Sequence, residues 1–371
     1  MPRPAFVVGR DAPHAFPVSC PASANGFDVT LVPIDRRALT CRAPSGDPPP
    51  RFRDASPMLI NLVPDFLAVL RSADRVAAFH TYFQTHRPLL GAYWHNYVLD
   101  PDSPDFADIV RATVEADRAD LLAVMDHADL IARAEETASR CVELLAIDCD
   151  IDIVLMVGVG AANAGELVID GKATAFVCVE HFTAVANPTT QGLGLDPELL
   201  SPWLAHEITH AVRYTSPTSR SEMRALIADA GGSYSYWDTG MRASLRELIV
   251  NEGLAVAVAH AISPGHADWE YYGYGRRQYA RIREMERTLM QAIEVELDGT
   301  GLGLRLRWLS GGMSDAVRRL DRQVIPERAG YYLGARMVAP AISRNGHAWA
   351  VRASASELTG MAPAFSASAS A

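Results

Sequence analysis

From Met58 onward, Leu59, Leu62, Phe66 and Leu70 lie three or four positions apart, which predicts a helix with one buried stripe. Helical spacing returns from Phe106 to about Leu145. Phe79, Tyr82, Phe83, Tyr93, Trp94 and Tyr97 lie between these stretches, and core packing accounts for them more simply than a ligand cage does. Near residue 150 the period shifts to two or to unbroken apolar runs, in IDIVLMVG, ELVIDG and TAFVCVEHF, which predicts short strands of one small sheet. Alternation in the third puts Cys178 and Glu180 on one face and Val177, Val179 and His181 on the other. Cys178 and His181 then point apart and read as structural. After Pro188 long helices are predicted around 201–214, 242–262, 276–297 and 329–343.

Eleven of the 23 prolines fall before residue 58, with Pro48, Pro49 and Pro50 consecutive, so residues 1–56 cannot hold long helices or central strands. The expected organisation is a Pro-rich extended or disordered leader over 1–56, a helical layer over 57–150, a core over 151–360 and a flexible tail over 361–371. The fold class is α+β, mostly helical, with a small mixed sheet.

Composition removes several chemistries. All 34 basic residues are arginine except Lys172, and the residue after it is Ala173 rather than the hydroxyl residue of a P-loop. Lysine Schiff-base and P-loop chemistry are therefore excluded. A net charge of -10 argues against a nucleic-acid partner. The arginines between Arg276 and Arg322 alternate with Glu284, Glu286, Glu294 and Glu296, as on a solvated helix surface. The cysteines at 20, 41, 141, 149 and 178 form no CxxC pair, which suggests a reducing compartment. With no apolar run of 18 residues, the expectation is a cytoplasmic protein without a membrane partner. Gly158-Val159-Gly160-Ala161-Ala162-Asn163 ends in asparagine where a dinucleotide loop has Gly or Ala, and a strand follows it; it reads as a turn.

The segment with chemistry is Ser201-Pro202-Trp203-Leu204-Ala205-His206-Glu207-Ile208-Thr209-His210-Ala211-Val212-Arg213-Tyr214. Ser201 is the expected cap, with Pro202 at the first helical position. His206 and His210 are four apart, one turn above one another, so both imidazoles can converge on one metal ion. Glu207, about 100° around the helix from His206, flanks the open coordination position. Catalytic zinc usually takes three protein ligands. Glu252 is the candidate third, an acid among Ile249, Val250, Leu254, Val256 and Val258 that needs a partner there. An ion pair with Arg246 is the alternative.

HEITHAVR, then VNEGLA, then GYYLG, together resemble the gluzincin group of zinc metallopeptidases, and within it the bacterial family of predicted Zn-dependent proteases. The resemblance covers roughly residues 150–355. It implies a zincin-like core, with the sheet beside the HExxH helix and an added N-terminal helical layer. It also implies one Zn2+ ion held by His206, His210 and Glu252, Glu207 as general base, and a peptide or protein substrate. In GYYLG, Tyr331 or Tyr332 would donate a hydrogen bond to an oxyanion, and Gly330 and Gly334 would let a helix pack closely. The resemblance also likens TAFVCVEHF to a substrate-binding edge strand. Arg213 matches the pattern in a supporting place. Two features depart from it. The separation of His210 from Glu252 is long, so a 30-residue insert from Ser216 to Leu245 is expected to loop out. Val256 stands where a histidine-orienting aspartate is found in thermolysin-like enzymes. A zinc-containing binding or regulatory module without peptidase activity is therefore the alternative expectation.

Overall fold

Four short strands form one sheet in the order β1-β2-β4-β3. In the computed structural model, which describes residues 57–127, 129–311, 318–320 and 323–361, β1 is Met58–Asn61. Helices α1 (Val63–Arg71), α2 (Arg75–Thr85), α3 (Arg87–Tyr93), α4 (Phe106–Glu115), α5 (Ala119–His127) and α6 (Leu130–Leu145) follow. Then come β2 (Ile151–Met156), β3 (Ala164–Ile169) and β4 (Lys172–Cys178). The leader, and the tail beyond Met361, lie outside the described residues.

The second half is helical: α7 (Leu200–Thr215), α8 (Glu222–Asp229), α9 (Thr239–Arg242), α10 (Leu245–Ile262), α11 (Asp268–Tyr271), α12 (Arg276–Glu294), α13 (Leu302–Leu309) and α14 (Ala329–Asn345). Mostly helical with a small mixed sheet, the chain is α+β. No helix among the described residues is long and apolar enough to cross a membrane.

Three local expectations are corrected. Met58, Leu59, Ile60 and Asn61 do not begin a helix; they pair in parallel with Asp152, Ile153, Val154 and Leu155 of β2. Their apolar spacing serves either period, and the neighbouring strand decides between them. Next, β4 is no edge strand, since it lies between β2 and β3. The edge on that side is β3, joined to β4 through Asp170 and Gly171, both at positive φ, as a two-residue hairpin requires. Finally, alternation stops at Cys178, because Val179–His181 form a 3-10 turn. That turn buries Glu180 and His181 together instead of setting them on opposite faces.

Helix α7 is buried along its length from Pro202 to Tyr214, so its polar residues His206, Glu207, His210 and Arg213 are buried with the rest rather than facing solvent. Leu204, Ile208 and Val212 join the core formed with the sheet and the N-terminal helices. That core includes residues from both sides of position 150, from Leu62 to Val351. Tyr214 joins a second core made by α10, α12, α13 and α14. The helix begins at Leu200 without a side-chain cap, so Ser201 does not cap it; Asp196 instead caps the preceding 3-10 turn, accepting from Glu198 N–H.

The insert after His210 does not loop out. It folds into α8 and α9, and between them it returns to the sheet: Tyr234 N–H donates to the Val168 carbonyl (2.9 Å), and Gly171 N–H donates to the Gly232 carbonyl (2.7 Å). Helix α10 then crosses α14 with backbone against backbone. A Cβ on Gly253 would lie 2.1 Å from the Gly334 carbonyl carbon, and one on Gly334 would lie 2.0 Å from the Ile249 oxygen. Backbone atoms cannot swing aside as a side chain can, so the contact requires glycine on both helices. We expect Gly334→Ala to lower stability by roughly 1–3 kcal/mol through overpacking, measured by denaturant unfolding; an unchanged midpoint would show that the crossing can relax.

Candidate metal centre

His206 and His210 project from α7, and Glu252 projects from α10 beside them. Ligand atoms of the three lie within 4.8 Å of one another, and together these side chains could hold a metal ion. Glu252 Oε2 is 3.1 Å from His206 Nε2 and 3.7 Å from His210 Nε2. Metal bonds of about 2.1 Å in a tetrahedron put ligand atoms about 3.4 Å apart, and the two distances bracket that value. The ion pair with Arg246 is not formed; that arginine holds Asp298 at 2.8 Å.

Electrostatics fit a cation site. Burial works against ionised Glu252, but hydrogen bonds from His206 and His210 outweigh it and hold its carboxyl below the usual range. Burial pulls His206 down to about 4. Burial also pushes Glu207 well above the usual carboxylate range, and the charges of Glu166 and Glu252 add to that push. Glu166 raises itself the same way, chiefly by burial, and lies within hydrogen-bonding reach of Glu207. Three carboxyls crowded into one pocket favour a positive charge among them.

Glu207 lines the same pocket as the three candidate ligands. So does Tyr331, whose ring stacks against His206 with centroids 6.2 Å apart. Tyr332 does not: its hydroxyl donates to Glu286 at 2.7 Å, on the far side of α14. Successive helix residues diverge by about 100°, so only one of the pair can face the site.

Val256 is buried in the second core, and among the described residues no aspartate orients His210, whose Nδ1 is buried without a hydrogen-bond partner. Arg213 fixes the geometry instead. Its side chain and that of Glu247 are fully buried and pair through Nε–Oε1 (3.1 Å) and Nη2–Oε2 (3.0 Å). Nε also donates to Asn251 Oδ1, and Nη1 donates to the carbonyls of Val351 (3.1 Å) and Ala353 (2.8 Å). Arg213 is thus the clamp that sets α10, and with it Glu252, against α7.

The remaining walls were not expected from sequence. Tyr97, Glu166, Tyr236, Arg305 and Arg328 all line the pocket. Tyr97 hydroxyl accepts from Glu166 N–H (3.0 Å) and lies 2.9 Å from its carbonyl oxygen and 3.1 Å from its carboxylate. Glu166 had a faint signal, the single acid within the apolar strand β3, AGELVI; the others carry none, since tertiary structure alone brings them here. Cys178 and His181 lie outside the pocket lining. Comparison of the chain with protein-family models, with curated proteins and with solved structures yields no match.

We expect Arg213→Met to cost roughly 3–5 kcal/mol, because it strands the Glu247 charge in the core. The double variant Arg213→Met with Glu247→Leu should recover part of the loss. Chemical denaturation checks both, and a single-variant loss below about 1 kcal/mol would contradict the clamp.

Proposed function

We propose that the chain is a zinc-dependent metallohydrolase with a zincin-like core, acting as a peptidase. The observation that carries the reading is the convergence of His206, His210 and Glu252 in one pocket that also holds Glu207 and is lined by Ala164, Gly165 and Glu166 of strand β3. Two imidazoles and one carboxylate, the carboxylate 3.1 and 3.7 Å from the two imidazoles, suit zinc. When bound, zinc lowers the pKa of water and polarises a carbonyl.

The chain's own groups supply the rest. Glu207, one position from a ligand and on the pocket wall, takes a proton from the attacking water and returns it to the leaving amine. Burial, with the Glu252 charge beside it, holds the Tyr331 phenol well above its ordinary pKa, so it stays a hydrogen-bond donor and can stabilise a developing oxyanion. Tyr332, turned to Glu286, takes no part. A second reading, a zinc-containing binding or regulatory module without peptidase activity, draws on the unpartnered His210 Nδ1, since an imidazole ligand is normally oriented through that nitrogen.

Protein purified without a histidine tag should carry about one equivalent of zinc, and His206→Ala should lose it. Less than about half an equivalent in the unaltered protein would sink both readings. Glu207→Gln should keep the metal and lose cleavage of a mixed peptide library. Equal product profiles from wild type and Glu207→Gln would leave only the binding module. Tyr331→Phe should slow turnover by about 10- to 1000-fold if the phenol serves the oxyanion, and Tyr332→Phe should not.

A further inference from the structure

Two arginines in the pocket have no part in the reaction proposed above. Arg305, on α13, and Arg328, just before α14, both line it and are 7% and 3% exposed. Where this chain buries arginine for structural ends it supplies an acid: Glu247 for Arg213, Asp120 for Arg118 at 3.2 Å. Among the described residues, neither Arg305 nor Arg328 has an ion-pair partner. Arg305 Nη1 donates to the Tyr236 carbonyl (2.7 Å), Nη2 reaches the Tyr234 hydroxyl (3.4 Å), and the guanidinium lies 3.3 Å over the Tyr236 ring. Arg328 Nη1 reaches the Gly273 carbonyl at 3.4 Å, its guanidinium lies 4.3 Å over the Tyr331 ring and within hydrogen-bonding reach of that side chain, and among the described residues its buried Nε donates to nothing. Each guanidinium offers five N–H donors, so most remain unused. Glu252, whose field reaches Arg328, is already engaged by the two histidines.

The backbone is shaped to admit both. A Cβ on Gly240 would lie 1.8 Å from Arg305 Nη1, and one on Gly273, at φ +63°, would lie 2.8 Å from Arg328 Nη1. Unpaired buried charge is costly, and ring stacking offsets only part of that cost. An anionic ligand is the missing partner.

The sheet edge indicates what carries the anion. Cys178 N–H donates to the Asn163 carbonyl, so in this register Ala164, Glu166 and Val168 turn their N–H and C=O away from β4. Tyr234 N–H takes the Val168 carbonyl, and the Tyr97 hydroxyl sits on both groups of Glu166. Among the described residues, the N–H and C=O of Ala164, on the pocket wall, are both unengaged by another element. An extended peptide can therefore pair here over one residue before it meets Tyr97, so its chain ends inside the pocket. At that blocked end Tyr234 leads to Arg305.

Resting on the peptidase reading, we propose that the site takes peptides by their free C-terminal carboxylate, bound by Arg305 with Arg328 as the second cationic donor. The scissile bond is then at or next to the C-terminal residue. Water adds its hydroxyl to the acyl carbon as the C–N bond breaks, and the proton goes to the departing amine.

The test is equilibrium binding by calorimetry to zinc-loaded, full-length Glu207→Gln. The probes are benzoyl-Gly-Phe, benzoyl-Gly-Phe amide and benzoyl-Gly-Glu amide, the last with only a side-chain carboxylate. The free acid should bind about tenfold or more tighter than either amide. Adding Arg305→Gln or Arg328→Gln should shrink that gap to under about threefold, with zinc content unchanged. Equal binding of acid and amide overturns the proposal, as does benzoyl-Gly-Glu amide matching the free acid. Should an arginine variant not fold, the three probes on protein with both arginines intact still decide. Failure of the peptidase reading shows separately, as missing zinc or missing cleavage by wild type, neither of which alters the acid-to-amide ratio.

Discussion

The geometry of the His206, His210 and Glu252 cluster depends on one buried ion pair. Arg213 stands three residues after His210 on α7, and Glu247 stands five before Glu252 on α10. Helices are stiff over such distances, so joining the two charges sets the relative rotation and register of the two helices. The contact has no exposure at either side chain, and an unpaired charge there would be severely destabilising. The guanidinium also ties in the loop carbonyls of Val351 and Ala353. On its other side, α10 is fixed by the Gly253 and Gly334 crossing. Glu252 is thus held from two directions.

How much of this was legible in sequence depends on range. The pair His206 and His210 was readable because a helix converts a spacing of four into one face, a rule internal to one segment. The helices over 200–215, 245–262, 276–294 and 329–345 followed from the same local period. Glu252 was readable for a different reason: an acid within an apolar run must find a partner. What failed needed distant chain. Nothing local tells Met58 to Asn61 that β2 will lie beside them, or that Tyr234 will take the other edge of the sheet. Tyr331 and Tyr332 could not be told apart because the choice turns on the rotation of α14, which its contacts with α10 fix.

The insert shows how such a distant contact alters chemistry. The thirty residues from Ser216 to Leu245 could have been a loose loop. Instead Gly232 and Tyr234 bond to β3 and its hairpin, while Tyr236 N–H takes Asn96 Oδ1 at 2.7 Å. Asn96 and Tyr97 come from the π-helical turn after α3, so the N-terminal helical layer and the insert close the same stretch of edge. An element that seemed only to lengthen the chain becomes a wall of the pocket.

Charge completes the constraint. Glu166, Glu207 and Glu252 repel one another in a buried space, and Arg305 and Arg328 stand in the same space without forming ion pairs with them. Had the arginines served to neutralise the acids, direct pairs at about 3 Å would be the low-energy arrangement, as Arg213 and Glu247 demonstrate elsewhere. Instead the guanidinium groups lie over the rings of Tyr236 and Tyr331, while the acid on α10 turns to the imidazoles. Acids and cations are kept apart by stacking, which keeps the acids available to a metal ion and the guanidinium donors available to an anion. A pocket so divided suits a ligand that brings an anionic end to the arginines and a polarisable carbonyl to the metal side.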